Sequence, residues 1–163
     1  MKGFSTRDPL IGKKAEKVIE AWLDQPDKGW DFNRIPDQMT GFYGSKNICD
    51  FDLFISPEHV YIESKATYED RFEFSLISAT QYNGLLKKSR IPHVHGIVIV
   101  TFVTYRRVFA IPIQEIDKVL QSGKKSLNIK KLESWGITYQ ELETLPSRKE
   151  LSDLTGELDL NLI

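Results

Sequence analysis

The strongest constraint on this chain is the run His95 to Phe102, HGIVIVTF, whose centre is four consecutive β-branched residues, Ile97, Val98, Ile99 and Val100. Such side chains favour extended backbone. A strand without polar alternation has no face to give to water, so it belongs inside a sheet covered on both sides. The rest of the sequence supplies the cover. Asp8 and Pro9 suit the N-cap and first position of a helix over about residues 9–24. Ile11, Ala15, Val18, Ile19 and Trp22 line one face of it. Pro26-Asp27-Lys28-Gly29 ends that segment. Ser78, with Gln81 three residues on, has the pattern of a capping box opening a helix that runs to about Lys88. Pro112 can open a third helix, through Leu120.

Further strands are expected at Trp30 to Ile35, Ile48 to Ile55, Val60 to Ala66 and Arg107 to Ile111, with Ser56-Pro57-Glu58-His59 as the turn of a hairpin. TYEDRFEFS reads as a short extended piece, and the last forty residues as short helices and loops. Residues 36–47 read as a loop or projecting hairpin. The order of elements predicts an α/β domain, a mixed β-sheet flanked by helices. The length of 163 residues suits a single domain over 1–163.

Composition excludes several classes. No stretch is long and apolar enough to cross a membrane, and MKGFSTRDPL lacks the apolar run of a signal peptide. A cytoplasmic protein is expected. The single cysteine, Cys49, excludes an internal disulfide framework and a multi-cysteine zinc site. It reads as a small buried hydrophobe, since no partner base is evident. His93 and His95 read as the polar start of a strand. Net charge is −1, but residues 1–132 hold 20 Lys/Arg against 16 Asp/Glu, and residues 133–163 hold 2 against 7. A mildly basic body with an acidic C-terminal segment is compatible with DNA binding without requiring it.

The chemistry is concentrated between Asp50 and Lys65. Alternate residues of a strand share a face, so Tyr61, Glu63 and Lys65 point one way and Val60, Ile62 and Ser64 the other. The preceding strand brings Asp50 and Asp52. Converging carboxylates raise each other's pKa. A divalent cation resolves that conflict, because carboxylates, carbonyls and water are the hard oxygen ligands of Mg²⁺ or Mn²⁺. A lysine beside them adds positive charge at a phosphate. The set suits phosphodiester hydrolysis. The competing reading is a Glu–Lys pair on an exposed sheet face, since a D/E-x-K tripeptide alone is common.

CDF at 49–51, YIESKAT at 61–67 and FEFSLISATQ at 72–81 together resemble RecU-type Holliday junction resolvases, within the PD-(D/E)XK nuclease superfamily. The likeness covers most of residues 12–130 and includes the first helix and GKKSLNI at 123–129. It implies a restriction-endonuclease-like core. It implies Asp50 and Glu63 as metal ligands with the Ser64 carbonyl as a third, Lys65 as the catalytic lysine, and Gln81 as a further catalytic residue near the site, orienting water or the lysine. Glu16 matches the place of a further acidic residue on the first helix and joins the implied metal-ligand set. Asp52 remains an alternative ligand, with Asp50 preferred on its separation from Glu63 and the match to CDF. The resemblance also implies Mg²⁺, with Mn²⁺ substituting, no organic cofactor, and a homodimer making paired cuts in a four-way junction. Only residues 36–47 can serve as the stalk these proteins carry. The compact chain is also similar to phage-borne and archaeal resolvases of the superfamily.

Candidate DNA contacts are Arg34 and Lys46, with Phe42 and Tyr43 nearby, then Arg71, Lys87, Lys88, Arg106, Arg107, Lys124 and Lys125, with Lys130 and Lys131 adjoining. The lysines ending the second helix also suit its macrodipole. Two other readings share these residues: a restriction-like or repair endonuclease acting on duplex or flap DNA, and a non-catalytic DNA-binding module on a nuclease fold.

Overall fold

The computed structural model describes residues 7–36 and 47–142. A six-stranded mixed sheet has the order β1-β2-β3-β5-β6-β8, and β4 pairs with β7 in a separate two-stranded sheet. Its strands are β1 (Asp31–Arg34), β2 (Phe51–Ile55), β3 (Glu58–Thr67), β5 (Val94–Phe102), β6 (Arg107–Pro112) and β8 (Gln140–Leu142). The small sheet is formed by β4 (Arg71–Glu73) and β7 (Ser126–Asn128). The helices are α1 (Ile11–Leu23), α2 (Ala79–Lys88) and α3 (Ile113–Gln121). Among the described residues only β3 and β5 pair in parallel, and α2 lies on the connection that carries the chain from one to the other.

From Gly96 onward β5 is buried residue by residue, as its unbroken apolar run requires. Ile97 and Ile99 join Val60 and Ile62 of β3 and Ile19, Trp22 and Leu23 of α1 in one apolar cluster. Val98 and Val100 face the other way, into a cluster with Leu85 of α2 and Ile113, Ile116 and Val119 of α3. Both faces of the sheet centre are therefore covered. Close approach of α2 depends on glycine. A Cβ on Gly84 would lie 2.3 Å from Ile48 Cγ2, and one on Gly96 would meet the Leu85 carbonyl at 3.0 Å.

Four details differ from the sequence expectation. The first helix begins at Ile11, because Asp8 instead closes a turn ahead of it, its Oδ1 accepting from Leu10 N at 2.8 Å. Val18 is only half-buried, and Leu23 takes the fully buried place beside Trp22. The strand expected from Ile48 starts at Phe51, leaving Asp50 in a bend ahead of β2. The last forty residues, expected as short helices and loops, contribute the three-residue strands β7 and β8, while the extended piece expected at TYEDRFEFS is β4.

Candidate active site

The register of the β2–β3 hairpin builds the site. Phe51 pairs with Ile62, and Asp52 with Tyr61. One step further back, Asp50 N donates to the Ile62 carbonyl at 2.9 Å and Ile35 N donates to the Asp50 carbonyl at 2.8 Å. The Asp50 side chain is fixed as well, Oδ2 accepting from Ser64 N at 2.8 Å. Asp50 is thus anchored to the backbone on both sides of Glu63. Asp52 lies opposite Tyr61, and its Oδ1 accepts from Asn33 Nδ2 at 3.0 Å. The charge of Asp50 adds to the upward push that burial puts on the Glu63 carboxyl.

Glu63 is 2% exposed, which removes the reading of an exposed Glu–Lys pair. The helix that hides it also binds it. Ser78 Oγ accepts from Gln81 N, and Gln81 Oε1 accepts from Ser78 N, completing the expected capping box. The same Gln81 side chain then donates through Nε2 to Glu63 Oε1 at 2.6 Å. Lys65 Nζ lies 2.8 Å from that same oxygen. The other oxygen, Oε2, is buried and has no hydrogen-bond partner among the described residues. Burial first, and the charge of Asp50 second, push the Glu63 carboxyl up to about 7, although the Lys65 hydrogen bond opposes them.

Glu16 reaches the site electrostatically, its charge adding to the upward push on Glu63. Its Oε2 accepts from Arg34 Nη2 at 2.7 Å, while Arg34 Nη1 donates to Glu20 at 3.1 Å. This clamp was missed from the sequence, although its signal was there. Glu16 and Glu20 are spaced i, i+4 on α1, and Arg34 alternates with Phe32 on β1. Among the described residues, no three His, Cys, Asp or Glu side chains converge closely enough to form a metal cage by themselves. Cys49 is buried, and desolvation with the charges of Glu63 and Asp50 pushes its thiol up to about 12. It stays protonated, as a wall of the site.

The candidate DNA contacts are scattered. Lys87 and Lys88 form the last turn of α2, with Lys88 Nζ 5.4 Å from the Tyr61 ring centre. Arg106 occupies the left-handed turn before β6. Arg107 grips Glu141 with two hydrogen bonds, at 2.6 and 2.8 Å. Arg71, Lys124 and Lys125 line one cleft. Lys46, Phe42 and Tyr43 lie outside the described residues. His93 and His95 both bond Glu58, a tie between the hairpin turn and the start of β5.

The family whose model the chain matches places it in the class of DNA endonucleases. It matches the family described as RecU, Recombination protein U, over residues 9–146. The chain belongs to that family of Holliday junction resolvases. No curated protein matches it. Among solved structures, it is similar to Archaeoglobus fulgidus Hjc, described as a Holliday junction resolvase from an archaeal hyperthermophile. The two are 15% identical with a TM-score of 0.49, over 77% of this chain and 100% of that one.

Proposed function

We propose that Asp50, Glu63 and Lys65 form the hydrolytic centre of a divalent-metal-dependent endonuclease that resolves four-way DNA junctions. The observation that carries this reading is the asymmetry of the Glu63 carboxylate. One oxygen holds both Lys65 and Gln81, while the other is buried without a hydrogen-bond donor. A buried carboxylate oxygen left in that state is costly, and a cation beside it and Asp50 removes the cost. The donors present fit a hard divalent ion: Asp50, Glu63 and the Ser64 carbonyl, completed by water and by substrate oxygens. Mg²⁺ is the expected ion and Mn²⁺ a substitute.

The chemistry such an ion supplies when bound is charge neutralisation at the scissile phosphate and Lewis acidity toward the attacking water. The protein's own groups do the rest. Gln81 fixes the Glu63 carboxylate in one orientation by tying it to the N-terminus of α2. Lys65 presents its ammonium on the same strand face, where it offsets charge growing on the phosphate. Glu16, restrained by Arg34, adds negative potential at the edge of the site. Paired cuts in opposing strands require two such centres, so the working form is read as a homodimer, with one domain per chain in the cytoplasm.

The test is cleavage of a labelled synthetic four-way junction against a matched linear duplex, with and without Mg²⁺, for the wild type and Lys65→Ala. Paired, Mg²⁺-dependent nicks confined to the junction and lost in the variant are expected. Equal cutting of both substrates would replace the junction with duplex as substrate. Absence of cutting would remove the enzymatic reading.

A further inference from the structure

Beside the small sheet lies a cleft of about 440 Å³ between β4, β7 and the turn after α3. Arg71, Lys124, Lys125 and Lys131 line it, and no acidic residue does. All four are exposed, while the floor is formed by buried Leu127 and Trp135. Trp135 is fixed there by a hydrogen bond from Nε1 to the Asn128 carbonyl at 2.8 Å.

The four cations come from three separate segments. Lys124 and Lys125 follow Gly123, whose φ of +91° turns the chain at the end of α3. Proximity to a helix C-terminus accounts for part of their presence. It accounts for neither Arg71, on β4, nor Lys131, after β7. No carboxylate among the described residues pairs with Lys124, Lys125 or Lys131. Arg71 has Asp70 at 3.8 Å, but Asp70 also approaches Lys130, at 3.3 Å. Of the other basic candidates, Arg34 is neutralised by Glu16 and Glu20, and Arg107 by Glu141.

Cations spread along an open cleft, without a convergent nest of backbone N–H groups, suit a linear polyanion better than a single small phosphate. The cleft is also tied to the catalytic strand. Arg71 lies six residues beyond Lys65 in the chain, and Phe74 N donates to the Lys125 carbonyl at 2.9 Å.

We propose that this cleft is a DNA-backbone site, holding the phosphates of one duplex arm away from the cutting centre. It rests on the endonuclease reading and adds to it where the affinity resides. Contacts of this kind position a substrate without reading its sequence. They supply salt-dependent binding and leave the chemical step alone.

The experiment is junction binding by the full chain across a range of salt, comparing wild type, Lys124→Ala/Lys125→Ala/Lys131→Ala, and the same three positions changed to Arg. Single-turnover cutting at saturating DNA is measured beside it. The alanine variant is expected to bind about tenfold or more weakly at low salt, with the log–log salt slope shallower by roughly two to three, at ~0.9 per phosphate contact. The arginine variant should restore both, and cutting at saturation should be unchanged in all. A wild-type slope retained by the alanine variant overturns the cleft while leaving the endonuclease reading intact. Loss of cutting at saturating DNA, with binding retained, also overturns it. Failure of the wild type to bind any DNA would sink both readings.

Discussion

Ile62 and Glu63 are neighbours on β3, and both are buried, at 0% and 2% exposure. They face opposite sides of one sheet. Ile62 enters an apolar cluster with α1, where every contact lowers the free energy of the fold. Glu63 enters a face covered by α2 that also carries Asp50 and Lys65, where burial raises the energy of its charged form. A fold optimised for stability alone would place an apolar residue at both positions. The contrast separates a face built for packing from one that retains charge at the expense of stability.

The largest effect should come from removing the charge. Glu63→Ala is expected to lower single-turnover cutting of a junction by about 10³-fold or more, the scale set by loss of a principal electrostatic group. Binding of the same junction, read by fluorescence anisotropy, should be almost unchanged. Retained cutting would show that the buried carboxylate is only a packing defect, and the contrast between the two faces would lose its functional meaning.

The next effect is on stability, and its sign follows from the raised pKa. The folded protein holds the Glu63 proton up to about 7, against an ordinary value of 4.5. The native state therefore binds more protons than the unfolded one between those values, and stability falls as pH rises through that window. A shift of this size corresponds to about 3 kcal/mol at ~1.36 kcal/mol per unit. Urea unfolding in chelator at pH 4.5 and pH 8 should show the wild type losing this increment relative to Glu63→Gln. Added Mg²⁺ at pH 8 should return part of it to the wild type alone. A pH dependence shared by the two proteins would place the titration elsewhere.

On the apolar face the expected change is smaller and of another kind. Ile62→Val deletes one methylene from a closed cluster and should cost about 0.5–1.5 kcal/mol, with the cutting rate at saturating DNA unchanged. A rate loss without a stability loss would mean that the two faces are mechanically coupled through β3.

The sequence made parts of this contrast legible and hid others. Four β-branched residues in a row announced β5 as doubly covered. The Ser78–Gln81 spacing announced the start of α2, because both signals are local. Glu63 and Lys65 could be put on one strand face because strand periodicity is local too. Asp50 was preferred to Asp52 only on its separation from Glu63 and the match to CDF, and its place in a bend ahead of β2 was not legible. What was hidden depends on distant partners. β4, inside the segment read as extended, and β7 are three residues each and pair across more than fifty positions, so their pairing and β7 itself leave no local pattern. The burial of Glu63 was hidden for the same reason, since the helix that covers it begins sixteen residues later. The pairing of Arg34 with Glu16 and Glu20 was hidden because those partners lie on α1. Their i, i+4 spacing becomes informative only once β1 is known to lie beside them.

The smallest difference is also the finest test of how α2 serves the charged face. Ser78 and Gln81 exchange hydrogen bonds in the capping box, but only Gln81 continues to Glu63. Ser78→Ala and Gln81→Ala should each cost about 1 kcal/mol of stability, the usual loss for an N-terminal cap. Ser78→Ala should leave cutting at saturation within about twofold. Gln81→Ala should lower it by about tenfold, the scale of one lost hydrogen bond to a charged group, and should alter the pH dependence of cutting, because Glu63 loses a donor to its charged form. Equal activity in the two variants would reduce Gln81 to a helix cap. A tenfold separation at equal stability would show that the same side chain that starts α2 also aims the carboxylate.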